Sequence, residues 1–188
     1  MSLMYAPTRY KLSVDDYHKL GEAGILDEDS RVELIEGELI EMAPIGGPHM
    51  GLVNRINKLL VLATGDLGVV SIQNPVTLPP YSEPQPDIAI LKPGADSASS
   101  AVPHPDDALL LIEVADTTLA YDRKIKLKVY ANAGVAETWI VDVQSKRVEI
   151  YREPTSEGYA RRFEAGMGDI VSPLALPMVR LAVSEFFV

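Results

Sequence analysis

The sequence contains no cysteine. Its absence excludes disulfide scaffolds, thiolate zinc sites and cysteine nucleophiles, so any site must be built from oxygen and nitrogen groups. Histidine is scarce too, with His18, His49 and His104 the only three. Positive charge is in deficit: 17 Lys and Arg stand against 27 Asp and Glu, a formal charge of −10. That balance opposes non-specific attraction to a phosphate polymer. Aromatic residues make up only 6%, and no basic stretch interleaved with aromatics marks a nucleic-acid surface. Arg161-Arg162, beside Tyr159 and Phe163, is too short to form one. No apolar run approaches the ~20 residues of a membrane span, and MSLMYAPTRYKLSVDD holds no signal-peptide core, so no membrane contact and a cytoplasmic location are expected.

What is present fits one ordinary domain over residues 1–188, with 47% hydrophobic and 23% charged residues and no internal repeat. SVDDYHKLGE (13–22) has Ser13 as N-cap and Val14, Tyr17 and Leu20 at helical spacing. RVELIEGELIEM (31–42) alternates about Glu36-Gly37, the pattern of a half-buried hairpin. A loop, APIGGP, leads to His49 and to a helix in which Leu52, Ile56, Leu59, Leu60 and Ala63 form one stripe. Strands follow at 69–78 and 86–91, separated by a proline-rich stretch, and 92–107 reads as a surface loop. ALLLIEV (108–114) is short and continuously apolar, as a central strand buried on both faces would be. A helix from about Asp122 to Ala133 ends at Gly134, and TWIVDV pairs with RVEIYRE across QSK.

The chemistry gathers on this frame. Glu113 ends five apolar residues, and an ionised carboxylate buried there without a partner costs several kcal/mol. An ion pair or exposure at the strand end would satisfy it; a cation site is the sharper reading. Asp87 follows Pro86 and opens the run IAIL, so a second carboxylate stands at a strand end, although it could serve only the proline-rich turn. Two carboxylates on adjacent strands suit a hard divalent ion such as Mg²⁺, which completes its shell with waters and substrate phosphate. In the helix that follows, Ile125, Val129, Tyr130 and Ala133 define an inward arc. Lys126 falls inside that arc and Asp122 one turn earlier, while Lys124 and Lys128 point outward. An inward lysine near a buried glutamate is either its structural partner or a catalytic cation.

RVELIEGELIEM, a histidine opening the next helix, PDIAIL, LLLIEVAD, YDRKIKLKVY and GVAETWIVD occur in that order. Together they resemble the Uma2 family (DUF820) of the PD-(D/E)XK nuclease superfamily, over roughly Arg31 to Asp142. The resemblance implies an α/β (α+β), restriction-endonuclease-like core, a mixed β-sheet flanked by helices. It places Asp87 and Glu113 as the metal-binding acids, with Mg²⁺ or Mn²⁺ as cofactor, the Val114 carbonyl as a further ligand, and DNA as substrate. In the superfamily pattern a lysine stands two residues after the second acid, but that slot is Ala115. The corresponding basic residue is Lys126, thirteen residues after Glu113, so that catalytic Asp87, Glu113 and Lys126 would carry phosphodiester hydrolysis.

Glu36 at the hairpin turn and His49 at the helix start are secondary candidates, each with an ordinary structural alternative. Glu33 reads as an outward strand position, Glu38 and Glu41 as solvated, and Trp139 and Tyr130 as core. A nuclease-fold binding or assembly protein without turnover is the competing reading, favoured by the charge of −10 and the displaced lysine. Because DNA has two strands, a homodimer is expected. The apolar tail LALPMVRLAVSEFFV must then be buried either on the chain's own sheet or against a partner copy.

Overall fold

A computed structural model describes residues 8–27, 29–95 and 101–187. Local signals set most element ends. The Asp16 amide donates to Ser13 Oγ at 3.1 Å and the Ser13 amide donates to Asp16 Oδ2 at 3.0 Å, a reciprocal cap that starts α1 (Val14–Glu22). Strands β1 (Val32–Ile35) and β2 (Glu38–Glu41) close through Glu36 and Gly37, both left-handed at φ 50° and 86°. A Cβ at Gly37 would lie 2.6 Å from Lys11 Cβ, so both the turn and the packing call for glycine there. Helix α2 (Gly47–Thr64) opens with a proline in its first turn and so begins three residues before the apolar stretch that announces it.

Strands β3 (Val69–Ile72), β4 (Ile88–Leu91) and β5 (Ala108–Ala115) follow. The strand expected over 69–78 stops at Ile72, because Gln73 turns at φ 50° and the prolines beyond it have no amide to give a ladder. Isolated bonds hold that segment instead, such as Val76 N to Pro84 O at 3.0 Å and Leu78 N to Ser82 O at 2.8 Å. Of the expected 92–107 loop, residues 96–100 lie outside the described residues.

The next helix is continuous but not uniform: α3 (Leu119–Tyr121) runs into a π-helical segment (Asp122–Lys126) and then α4 (Leu127–Asn132). It starts three residues earlier than the sequence pattern suggests. Strands β6 (Glu137–Asp142) and β7 (Arg147–Thr155) form the expected hairpin. Strand β8 (Gly158–Ala165) was not expected; it is an edge strand exposed along most of its length and lacks the apolar alternation that betrays a half-buried one. Short strands β9 (Ile170–Val171) and β10 (Leu181–Ala182) and the turn α5 (Val183–Phe186) complete the chain.

Six strands make one mixed sheet in the order β3-β4-β5-β6-β7-β8, antiparallel except for β5 and β6. That single parallel pair requires a crossover, and the α3–α4 helix is it. Alternation along β5 sends Leu110, Ile112 and Val114 into the layer formed by Leu52, Val53, Ile56 and Leu60 of α2, and Leu111 to Val129 and Tyr130 of α4. The apolar tail joins the α2 layer through Leu176, Val179, Leu181, Val183 and Phe186, so most of its apolar surface is buried on the chain's own sheet. No helix among the described residues is long and apolar enough to cross a membrane.

The Arg161-Arg162 pair is spent on acids of this sheet. Glu149 on β7 is 3% exposed and accepts from Arg123 Nε at 3.0 Å, Arg162 Nη2 at 2.8 Å and Tyr151 OH at 2.6 Å. Burial pushes its carboxyl up, but these donors, Arg123 foremost, outweigh it and hold the group down at about 2. A pKa lowered in the folded state gives stability that is present above the unfolded value and lost as pH falls through the folded one. Glu149→Gln is therefore expected to cost about 2 kcal/mol at pH 7, the scale of a charge-assisted bond to a buried group. In urea unfolding, its gap from wild type should close between pH 4.5, the unfolded value, and about 2; a gap that does not change with pH would assign the loss to packing.

Candidate active site

The sheet's register builds the floor of a cleft. Strand β4 pairs Ile88 with Ile112 of β5, and one step further sets Asp87 opposite Glu113. Strand β3 pairs Ile72 with Ile88, which sets Gln73 opposite Asp87, and the Gln73 amide donates to the Asp87 carbonyl at 3.1 Å. Gln73, Asp87 and Glu113 thus form a row across three strands at one end of the sheet. They line a cavity of about 390 Å³ whose rim is the 42–46 loop on one side and the Asp116–Thr118 turn on the other.

Each acid is held differently. Asp87 Oδ2 accepts from the Val114 amide at 2.9 Å and lies 3.0 Å from His49 Nε2. Its Oδ1 has only a long 3.4 Å contact from Gln73 Nε2. Glu113 is 4% exposed, and its Oε1 accepts from the Tyr130 hydroxyl and lies 3.2 Å from Lys126 Nζ. The same ammonium lies 3.2 Å from Glu33 Oε2, which also accepts from the Gln85 amide at 3.1 Å. Lys126 is therefore clasped between two carboxylates, one from the central strand and one from the β1–β2 hairpin. The π-helical segment turns both Asp122 and Lys126 inward, and Thr118 Oγ1 donates to Asp122 Oδ2 at 2.6 Å.

Electrostatically the cleft is acidic. Glu33, Glu41, Asp87, Glu113, Asp116 and Asp122 line it, against Arg31, Lys126 and His49. Burial pushes Glu113 up, opposed chiefly by Lys126, while Asp122 and Asp87 push the same way as burial. Burial likewise raises Asp122 to about 6. For Lys126 burial favours the neutral amine, but attraction to Glu113 first and Glu33 second more than offsets it, and the side chain stays cationic. The bond to Asp87 raises His49. Two buried polar atoms here, His49 Nδ1 and Tyr121 OH, have no hydrogen-bond partner among the described residues, and both residues line the cleft.

Four of the five sequence candidates therefore come together: Asp87, Glu113, Lys126 and His49. Glu36 does not. It is exposed at the hairpin turn and borders a separate depression with Lys11 and Tyr81. Glu33, expected to face outward, is instead 3% exposed and bound to Lys126, because a lysine 93 positions later supplies the countercharge that lets a carboxylate be buried. A signal existed: Glu33 is two residues from Ile35, hence on the same face of β1 as a core residue. Gln73 and Gln85 had no such signal, since only tertiary pairing brings them to the cleft. Tyr130 and Trp139 are core as expected, with the Tyr130 hydroxyl also reaching Glu113.

Asp87 and Glu113, opposite in register in an acidic cleft, supply the hard oxygen donors that a divalent ion takes. No group of three or more His, Asp or Glu among the described residues is arranged to hold one, so waters, a backbone carbonyl or substrate would complete the shell, as Mg²⁺ prefers.

No curated protein matches this chain. Among solved structures, the chain is similar to a "putative nuclease belonging to DUF820" from Anabaena variabilis, with a TM-score of 0.72 at 16% sequence identity, covering 94% of this chain and 97% of that one. That likeness shows a shared fold, the mixed sheet flanked by helices. The family model for Uma2, described as "Putative restriction endonuclease", matches residues 14–184, and with nearly the whole chain matched, from α1 to α5, this protein belongs to the Uma2 family.

Proposed function

We propose that this protein is a metal-dependent endonuclease that hydrolyses phosphodiester bonds in DNA. The observation that carries this reading is the 3.2 Å approach of Lys126 to Glu113 on the cleft floor, with Asp87 opposite Glu113 in register. Acid, acid and lysine meet although the lysine comes from a helix and not from the slot two residues after Glu113, which the buried Ala115 fills. Family membership supports a nuclease; the donor set supports Mg²⁺ or Mn²⁺.

Asp87 and Glu113 would hold the ion, with the Val114 carbonyl as a further ligand. A divalent ion there supplies a water of lowered pKa and neutralises charge on the phosphate oxygens. The chain's own groups do the rest. Lys126, kept cationic by Glu113 and Glu33, places a fixed positive charge where the pentavalent phosphate gathers negative charge. Tyr130 fixes Glu113 by donating to Oε1, and the Val114 amide fixes Asp87. His49 Nε2, 3.0 Å from Asp87 Oδ2, helps to fix that carboxylate in the cleft.

Two results are expected. Millimolar Mn²⁺ should raise the thermal midpoint of the wild type by several degrees, since saturation to about 100 times Kd is worth about 2.7 kcal/mol. Asp87→Ala and Glu113→Ala should lose that rise; an equal rise in both variants would remove the shared ion site. Second, Lys126→Ala should lower cleavage of a labelled oligonucleotide by about 100-fold or more, the scale of one lost transition-state donor, while exposed Lys124→Ala leaves it unchanged. Lys126→Ala also strips two buried carboxylates of their cation, so its midpoint should fall. If activity per folded molecule survives, the lysine is a structural ion-pair partner and not part of the catalytic machinery.

A further inference from the structure

We propose that the cleft takes one unstacked nucleotide at a time, so that the DNA cut by this protein is single-stranded or locally unpaired. The inference rests on the nuclease reading above and specifies its substrate. Three independent features point to it.

The first is depth. The acids and the lysine are sunk beneath the rim: side-chain exposure is 14% at Asp87, 5% at Glu113 and 8% at Lys126. A duplex carries its phosphates on a stiff cylinder, one charge per about 1.7 Å of axis, and cannot lower one of them to such a floor without pressing its neighbours into the rim. A flexible single strand can bend inward. The cavity of about 390 Å³ lies at the small end of the roughly 300–1,000 Å³ range of ligand pockets, a size that suits one nucleotide and excludes a base pair.

The second is the character of the walls. Ile40, Met42, Pro44 and Ile45 also line the cleft, with Ile45 40% exposed. An apolar wall receives the face of any base, whereas it offers a duplex backbone nothing. Tyr121, whose buried hydroxyl has no partner among the described residues, lines the cleft with Gln73 and Gln85. No hydrogen bond of the Gln85 side-chain amide to another group appears among the described residues, while its backbone amide is bound to Glu33. Amide and phenol groups of this kind pair with the donor and acceptor edge that a base exposes only when it is unpaired.

The third is charge. Among the described residues that line the cleft, only Arg31 and Lys126 bring permanent positive charge, and Lys126 is already shared by Glu33 and Glu113. With −10 overall, phosphate neutralisation by side chains, which dominates duplex affinity, is weak here. A bound divalent ion and contacts to a base are then the remaining sources of affinity.

The test compares three fluorescein-labelled DNAs of one sequence: a single strand, a blunt duplex, and a duplex with a single-nucleotide bulge. Each is incubated with the full chain and Mg²⁺ or Mn²⁺ and resolved on denaturing gels. Single strand and bulge should be cut at least about tenfold faster than the blunt duplex, with bulged substrate cut beside the bulge, because only the duplex must unstack and unpair a base first. Ile45→Glu, on the exposed rim and away from the acids and the lysine, should lower single-strand cleavage by about tenfold through loss of an apolar contact to the base, without changing the thermal midpoint. Blunt duplex cut as fast as single strand, or an Ile45→Glu variant as active as wild type, overturns this inference and leaves the nuclease reading standing. No cleavage of any of the three with either metal overturns the nuclease reading and this inference with it.

Discussion

Lys126 is buried because two carboxylates share it. An ammonium at 7% exposure, and Glu33 and Glu113 at 3% and 4%, would each cost several kcal/mol if left alone; together they offset one another, and the two acids are further satisfied by the Gln85 amide and the Tyr130 hydroxyl. The hairpin β1–β2 is not part of the six-stranded sheet. It is tied over the sheet's open end by this ion pair and by the Glu83 amide bond to the Leu34 carbonyl at 2.8 Å. Through Lys126, then, three elements far apart in sequence are clamped around one cavity: a hairpin, a central strand and a crossover helix.

The same clamp explains how a helical lysine can take the place of one on the strand. Ala115 points to the same face as Glu113 but packs against Leu127, Ile140 and Tyr151, a site with no room for a charge. The crossover helix runs back over that face, and its π-helical turn widens the spiral where Asp122 and Lys126 enter. What matters to the chemistry is the position of the ammonium, and a side chain four methylenes long reaches it from the helix as readily as from the strand.

An acidic cleft in an acidic protein has a consequence for both activity and specificity. With more carboxylates than cations around the floor, a phosphodiester is repelled unless a cation stands between them. Under the proposed reading, affinity would come from that cation and from contacts to the base, and less from a basic groove. The arginines that could have made one, Arg123, Arg152 and Arg162, are bound to Glu149 and Glu137 within the fold, where they hold β6, β7, β8 and the crossover helix together.

Much of this was legible in the residues. Apolar periodicity, the Ser13 cap, the Glu36-Gly37 turn and the run 108–114 determined the elements they announce, because these signals are local and depend on the backbone conformation of a few neighbours. Helical phase turned Lys126 and Asp122 inward, and the buried Glu113 demanded a partner. Strand β8 was silent because an edge exposed on both faces needs no alternation, and the end of β3 at Ile72 depended on a left-handed Gln73 that no composition rule requires. Glu33 was misplaced and Glu36 preferred to it, since whether a carboxylate can be buried is decided by a countercharge that the sequence keeps 93 positions away. The sequence by itself determined which groups are candidates to carry chemistry; the tertiary structure decided which of them meet, because cross-strand register and the reach of one lysine depend on distances in space that sequence separation does not encode.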